Sequence, residues 1–192
     1  MPASSEPRKP NSARAIIALT GFMAAGKSTV GRSLACLLKW RFVDLDSEIE
    51  SRCNQAICEI FAQQGEARFR ELESEALRIV LQNVSESTVI ALGGGTSVQR
   101  QNVDLLRRAC ARVVFLELDS QELLQRCRAA AERAPGNARP LATDEETFCA
   151  LYAQRLPLYR QADVVIDGHS KTPEQIAREV ALTLRLVGDA AT

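Results

Sequence analysis

The feature that most restricts the fold of this chain is Gly21–Ser28, whose sequence GFMAAGKS fits the pattern GxxxxGK[ST] in full. It directly follows the apolar run Ala15–Leu19, which is typical of a buried parallel strand. A helical pattern begins at about Lys27 and runs to Lys39. A glycine loop between a strand and a helix points backbone N–H groups at an anion, and the helix N-terminus adds its dipole. The sequence therefore predicts an α/β fold with a phosphate-binding loop.

Lys27 and Ser28 give this loop its chemistry. Lys27 is expected to reach the β and γ phosphates of a nucleotide, and the Ser28 hydroxyl to bind Mg²⁺. As an alternative, the glycines form only a turn, but this leaves unexplained a lysine where the helix dipole disfavours positive charge. The chain contains no NKxD motif for guanine recognition, which favours a kinase or ATPase over a GTP switch. The predicted ATP-binding residues of this segment are Ala24, Ala25, Gly26, Lys27, Ser28 and Thr29.

Composition and charge place the chain among average globular proteins. It has 46% hydrophobic and 25% charged residues, and its 24 Lys and Arg balance its 24 Asp and Glu. A net charge of zero argues against nucleic acid and anionic membranes as partners. No run approaches the ~20 apolar residues of a membrane span, and residues 1–14 lack the apolar centre of a signal peptide. We expect a cytoplasmic protein with neither a membrane nor a nucleic-acid partner.

Strand and helix patterns alternate along the chain, which predicts a parallel sheet covered by helices on both faces. Residues 1–13 are rich in Pro and Ser and are expected to form a disordered tail before a single domain at residues 14–188. Functional groups should gather at the carboxyl ends of the strands. After the second strand, two or three helices are predicted to extend to about Gln82, and a final helix is predicted at Pro173–Leu186. Further strands are predicted at Arg41–Val43, Thr88–Leu92, Arg112–Glu117 and Asp163–Ile166.

The segment from about residue 133 to residue 144 contains two prolines, a glycine and an asparagine. It is too polar for a core element and too long for a simple turn between elements. We predict a mobile lid over the site, with an inert surface loop as the alternative.

Six cysteines are spread along the chain without a CxxC pair. Several fall within amphipathic helical patterns, which favours reduced and mostly buried thiols over disulfides or zinc ligands. They are Cys36, Cys53, Cys58, Cys110, Cys127 and Cys149.

Two carboxylates follow the second predicted strand, at the edge where ligands are expected. Asp44 and Asp46 bracket Leu45, and strand alternation would point both side chains the same way. Facing one cleft, they could manage a metal ion and a hydroxyl group. As an alternative, either residue could cap the helix that begins near Ser47.

Further polar groups lie at or beyond the same predicted edge. Arg70 flanks the apolar stripe of a helix and could enter a cleft or pair with Glu66 and Glu73 at helical spacing. Gly93–Gly95 follows the third strand, where glycines allow a substrate close to the backbone or simply form a tight turn. Taken alone, the arginines of Arg139-Pro140-Leu141 and of Arg155-Leu156-Pro157-Leu158-Tyr159 could be solvated surface groups.

Taken together and in order, the segments GFMAAGKST, FVDLD, FRELE, GGG, RPL and RLPLY resemble the shikimate kinase family from about Ala15 to Leu186. The resemblance implies a three-layer P-loop kinase fold similar to nucleoside monophosphate kinases. Its five-stranded parallel sheet would have the order 2-3-1-4-5, with flanking helices and a lid. It also implies transfer of the ATP γ-phosphoryl group to the 3-hydroxyl of shikimate, on the route to chorismate and aromatic amino acids.

The resemblance assigns roles to individual residues. Asp46 would hold the ring hydroxyls of shikimate, and Asp44 would reach Mg²⁺ through water. The carboxylate and neighbouring groups would be held by Arg70, Arg155 and the backbone of Gly93, Gly94 and Gly95. In the lid, Arg139 would meet the nucleotide phosphates and complete a catalytic set with Lys27 and Asp46. Arg126 and the segment from Lys171 to Pro173 would flank the adenine.

Two departures from the family pattern concern the nucleotide side. Ala24 stands where the family often has another glycine, and residues 128–137 make the approach to the lid longer and richer in Ala and Arg. Both put nucleotide affinity and lid kinetics in question rather than the type of reaction. Two alternatives remain open. The chain could be a kinase of another polyol acid, such as gluconate, or a nucleotide-binding regulatory module without turnover. We expect a monomer that binds ATP, Mg²⁺ and shikimate.

Overall fold

The computed structural model describes residues 14–133 and 144–187 of the chain. The predicted tail at residues 1–13 lies outside the described residues, and so does most of the predicted lid, including Arg139. The division into tail, domain and lid therefore stays a prediction.

Five parallel strands form one sheet in the order β2-β3-β1-β4-β5. This confirms the predicted fold class and strand order. All five residues of the central strand are buried, as its continuous apolar run predicted. The strands are β1 (Ile16–Thr20), β2 (Arg41–Asp44), β3 (Thr88–Ala91), β4 (Arg112–Glu117) and β5 (Val164–Asp167).

Helices connect the strands and cover the sheet. They are α1 (Lys27–Leu38), α2 (Leu45–Cys53), α3 (Ile57–Gln82), α4 (Arg100–Arg108), α5 (Ser120–Arg133), α6 (Glu145–Tyr159) and α7 (Pro173–Thr183). A short 3₁₀ helix at Thr96–Val98 precedes α4, and α3 is broken at Gly65, which has φ 77°. None of the described helices has the length and apolar character needed to cross a membrane.

The final helix ends earlier than its apolar pattern predicted. Arg185 has φ 54°, in the left-handed region that stops a helix. The N–H of Leu186 then turns back to the carbonyl of Ala181 at 2.9 Å. The apolar side chain of Leu186 still packs on the core, so the predicted stripe continues beyond the helix itself.

Two hydrophobic clusters fill the two faces of the sheet, which gives the predicted three layers. Along β1, Ile17 and Leu19 belong to one cluster, while Ile16 and Ala18 belong to the other. This alternation follows from the two-residue period of a strand. The central strand is apolar throughout because both of its faces are covered.

The strand register aligns the carboxyl ends that carry the predicted functional residues. Leu19 of β1 and Asp44 of β2 both pair with Ala91 of β3. On the other side, Thr20 of β1 pairs with Phe115 of β4. The segments that follow these strands therefore emerge side by side at one edge of the sheet.

The prediction that the cysteines are mostly buried was wrong. No two of the six form a disulfide, but only Cys127 is buried, and Cys36, Cys58 and Cys110 are exposed. Cys36 lies two residues after buried Leu34, and Cys58 lies two residues before a buried isoleucine. Residues two apart on a helix point to different sides. The apolar pattern identified the helices correctly but misplaced the cysteines on them.

Candidate active site

The loop after β1 ends where α1 begins, and its backbone has the shape of an anion-binding turn. Gly26 is the N-cap residue of α1, with φ 85° and ψ 15°, and no side chain caps the helix. The first N–H groups of a helix lack intrahelical partners, so they can bind phosphate oxygens. Ser28 and Thr29 lie in this first turn. The loop and helix thus have the backbone geometry expected of the predicted phosphate site, and the ATP contacts of its residues stay predictions.

The Lys27 ammonium folds back over this loop. Its Nζ donates to the carbonyl oxygens of Gly21 and Phe22, each at 2.9 Å. These contacts hold the positive charge beside the backbone N–H groups that would bind phosphate. The side chain thus serves the loop rather than the hydrophobic core.

Ala24 has φ 61°, a left-handed conformation that costs an L-residue roughly 1–2 kcal/mol. Glycine, which the related family often has at this position, would adopt the same conformation without that cost. The loop therefore keeps its shape here with some strain.

Arg126 lies over the phosphate loop. A Cβ atom at Gly26 would be 4.0 Å from Arg126 Nη1. Glu122 on the same helix holds the guanidinium through Nη2 at 2.6 Å. Lys171, in the segment between β5 and α7, instead pairs with Glu179 at 2.7 Å. The structure thus brings Arg126 to the loop, while the adenine roles of Arg126 and Lys171 stay predictions.

The two aspartates after β2 are not related by strand alternation, so that part of the prediction was wrong. β2 ends at Asp44 and α2 begins at Leu45, which places Asp46 in the first helical turn. Asp44 Oδ1 accepts from the N–H groups of Asp46 and Ser47, at 3.1 and 3.5 Å. Asp44 is therefore a helix cap, which was the alternative interpretation of its position in the sequence. Its predicted role near Mg²⁺ is compatible with this capping.

Asp46 faces the glycine segment after β3. A Cβ atom at Gly93 would lie 2.9 Å from Asp46 Oδ1 and 2.6 Å from Glu73 Oε1. Both are closer than real Cβ atoms approach, so a side chain at Gly93 would displace both carboxylates. Glycine at this position leaves room for two acidic side chains to reach the backbone.

Arg70 forms the predicted helical pairs and also contacts the glycine segment, while its substrate-binding role stays a prediction. Its guanidinium pairs with Glu66 at 3.0 Å and with Glu73 at 2.9 Å, and it also packs on Gly95. A Cβ atom at Gly95 would lie 2.7 Å from Arg70 Cζ. Burial acts to lower the pKa of Arg70, but the nearby charge and hydrogen bond of Glu73 outweigh it, so the pKa is raised.

Glu73 was predicted only as a helical pair for Arg70, yet it is the centre of this cluster. Its side chain is 1% exposed, and the side chain of Glu66 is 64% exposed. An ionised carboxylate is rarely buried unless donors surround it. Thr96 Oγ1 donates to Oε1 at 2.6 Å, and Gln99 Nε2 donates to Oε2 at 2.8 Å. Its position between apolar Phe69 and Ala76 on the helix was the available signal.

The end of α6 closes the site from the other side. Arg155 Nη1 donates to the carbonyl oxygen of Gly94 at 3.4 Å, and the Tyr159 hydroxyl donates to the same oxygen. The Arg155 guanidinium also lies 5.9 Å from the ring centroid of Phe22 in the phosphate loop. Burial raises the pKa of Tyr159 to about 12, so its hydroxyl stays a donor. The sequence had not predicted individual roles for Tyr159 or Phe22.

These contacts bring most of the predicted site residues together. Arg70 and Arg155 both contact the glycine segment, and Asp46 faces it. Gly94 in turn lies against the phosphate loop, since a Cβ atom there would be 3.4 Å from the backbone nitrogen of Met23. The arrangement can hold an anion between two guanidinium groups and a hydroxyl group beside a carboxylate, next to a phosphate site.

Comparisons with known proteins agree with this geometry. The profile of the shikimate kinase family matches residues 23–185. Shikimate kinase from Geobacter sulfurreducens is 42% identical over 171 residues, which cover 88% of this chain and 90% of that protein. The enzyme from Moorella thermoacetica is 39% identical over 171 residues, covering 88% of this chain and 94% of that protein.

A solved structure gives the same result. Shikimate kinase from Acinetobacter baumannii, in complex with shikimate, superposes with a TM-score of 0.80 at 33% identity. The match covers 96% of this chain and 100% of that one. The chain therefore belongs to the shikimate kinase family and is an ATP-dependent kinase.

Proposed function

We propose that this chain transfers the γ-phosphoryl group of ATP to the 3-hydroxyl of shikimate, giving shikimate 3-phosphate and ADP. The observation that carries the proposal is the convergence of Arg70 and Arg155 on a glycine segment that Asp46 also faces. Two guanidinium groups suit a carboxylate, and a carboxylate suits ring hydroxyls. Shikimate has both groups, and it is the ligand of the A. baumannii relative.

Catalysis in this proposal comes from positioning and from neutralising charge. Phosphoryl transfer passes through a loose transition state whose charge spreads over the phosphoryl oxygens. Lys27, held over the phosphate loop, would neutralise that charge. Asp46 would orient the hydroxyl and take its proton as the bond to phosphorus forms. Arg139, assigned by resemblance, would add a second positive charge.

Ser28 and Asp44 are the proposed residues on the Mg²⁺ side. Both offer oxygen atoms, which this hard cation prefers. Asp44 ends β2, which β3 separates from the strand that leads into the phosphate loop. By resemblance, Asp44 would hold the ion through water rather than directly. Bound Mg²⁺ would supply charge neutralisation at the nucleotide phosphates.

The enzyme is expected to act as a monomer in the cytoplasm, with ATP, Mg²⁺ and shikimate as its small-molecule partners. The segment at about residues 133–144 would close over the site and exclude water, which otherwise competes as acceptor. A gluconate kinase would share the phosphate loop, so acceptor choice has to be tested directly.

Replacing Arg155 with Ala should raise the KM for shikimate by at least about 30-fold. A desolvated charge partner lost from a carboxylate costs about 2 to 5 kcal/mol, and about 1.4 kcal/mol is tenfold. Steady-state rates with shikimate varied at saturating ATP measure the effect.

Arg160→Ala is the matched control for this variant. Arg160 directly follows the last residue of α6, the helix that carries Arg155. It is exposed and pairs with Glu117 rather than with the glycine segment. Its loss should leave the KM for shikimate within about twofold, as is usual for exposed ion pairs. An unchanged KM in Arg155→Ala would remove this residue from the acceptor site.

A further inference from the structure

The 3₁₀ helix after the glycine segment places two donors on one buried carboxylate. Thr96 is the first residue of this 3₁₀ helix, and Gln99 is the residue that directly follows it, with an extended backbone. Thr96 donates to Glu73 Oε1 and Gln99 donates to Glu73 Oε2. The turn thereby supplies a donor to each oxygen of an anion that lies on a different element, α3.

This carboxylate sets where the Arg70 guanidinium lies. Arg70 Nη1 donates to Glu73 Oε2 at 2.9 Å, and the guanidinium packs on Gly95. The second partner of Arg70, Glu66, is largely exposed and therefore screened by water. Glu73 is therefore the partner that holds the Arg70 guanidinium in place. The orientation of the Glu73 carboxylate in turn depends on its other donors.

The backbone of the turn is itself anchored. The N–H of Thr96 bonds to the carbonyl of Gly93 at 3.2 Å, and the side chain of buried Asn102 donates to the carbonyl of Thr96 at 3.1 Å. Thr96 is fully buried, so its hydroxyl has little freedom to find another partner. A donor held this rigidly can fix the carboxylate that it contacts.

We infer that Thr96 and Gln99 are positioning residues for the acceptor, acting through Glu73 on Arg70. The inference rests on the proposed function, because Arg70 is taken to hold the carboxylate of shikimate. Both side chains donate to Glu73, so their proposed effect on the acceptor is indirect. Their hydroxyl and amide keep the guanidinium aimed across the glycine segment before the acceptor arrives.

Ser97, between the two residues, provides a matched control. It is also buried, but its hydroxyl pairs with Thr20 at the end of β1, on the side of the phosphate loop. Thr96→Val removes a hydroxyl with little change of shape, Gln99→Met removes an amide, and Ser97→Ala removes the neighbouring hydroxyl. Thr96→Ser restores a donor at the first position.

Initial rates with each substrate varied test the inference. Thr96→Val and Gln99→Met should each raise the KM for shikimate about tenfold, because a buried charged acceptor loses a donor. The KM for ATP should stay within about twofold, and Thr96→Ser should recover most of the affinity. Ser97→Ala should leave the KM for shikimate unchanged. An unchanged shikimate KM in both variants, or an equal rise for both substrates, overturns the inference.

A second measurement does not depend on turnover. Thr96 and Arg70 share Glu73 as a partner, so Thr96→Val and Arg70→Met should have non-additive effects on the free energy of unfolding. Ser97→Ala and Arg70→Met should be additive. Additivity in the Thr96 pair overturns the inference even if the enzyme is active. Absence of shikimate phosphorylation in the unmodified chain, together with coupling in the Thr96 pair, would overturn shikimate as the acceptor and leave the positioning of Arg70 through Glu73 in place.

Discussion

Lys27→Ala should lower kcat by at least about 10²- to 10³-fold while the fold stays intact. The ammonium is held over the phosphate loop by two carbonyl oxygens, so its loss removes positive charge where charge develops on the phosphoryl oxygens. Loss of the hydrogen bonds to the Gly21 and Phe22 carbonyls, about 1 kcal/mol each, should lower Tm by only several degrees. Turnover and thermal melting of the same preparation measure both effects.

Arg32→Ala is the control for loss of a positive charge from the same helix. Arg32 is exposed on α1, where it lies 4.8 Å from the ring centroid of Phe42, away from the loop. This variant should keep nearly full turnover. Normal activity in Lys27→Ala, at whatever melting temperature the folded variant shows, would refute the assignment of the phosphate loop.

Asp46→Asn should retain binding of Mg·ATP but lose about 10²- to 10⁴-fold in kcat, the usual scale for a positioned proton acceptor. Asp46 lies in the first turn of α2 and faces the glycine segment. Asn preserves its size and its backbone N–H bond to Asp44. The change therefore removes the carboxylate charge and basicity and leaves the helix start in place.

Asp44→Asn should fail in a different way, and the capping role of Asp44 makes Asn the right substitution. Asn is as good an N-cap residue as Asp, whereas Ala would lose the cap and confuse instability with catalysis. If Asp44 acts near the metal, its defect should shrink as Mg²⁺ is raised, while the Asp46→Asn defect should not. Measuring kcat for both variants across a Mg²⁺ titration decides this. Rescue of Asp46→Asn alone would show that the roles are reversed.

Local sequence patterns were sufficient to predict the central strand and the phosphate loop. The apolar run before Gly21 identified the central strand, and the GxxxxGK[ST] motif identified the loop and the start of α1. The strand order came from the family resemblance, because no local pattern says which strands are neighbours. The structure confirms both the strand and the order.

Long-range placement explains why other features could not be predicted. Whether Asp46 lies on a strand or a helix depends on where β2 ends, and Asp44 ends it by capping α2. The burial of Glu73 depends on Thr96 and Gln99, which are 23 and 26 residues away in the chain. Such a cluster appears as a scatter of ordinary polar residues until the fold brings it together. The exposed cysteines show the same limit. A periodic pattern locates a helix along the sequence more accurately than it predicts which side of the helix faces the core.

The most direct test of the proposed function is an assay that couples ADP release to a visible signal. The purified chain, ATP and Mg²⁺ are held constant, while shikimate, gluconate and nucleoside monophosphates are supplied in parallel. Rapid ADP release with shikimate alone is the predicted result. Faster release with gluconate or a nucleoside monophosphate, or a rate that no acceptor changes, would contradict the assignment of shikimate as the substrate.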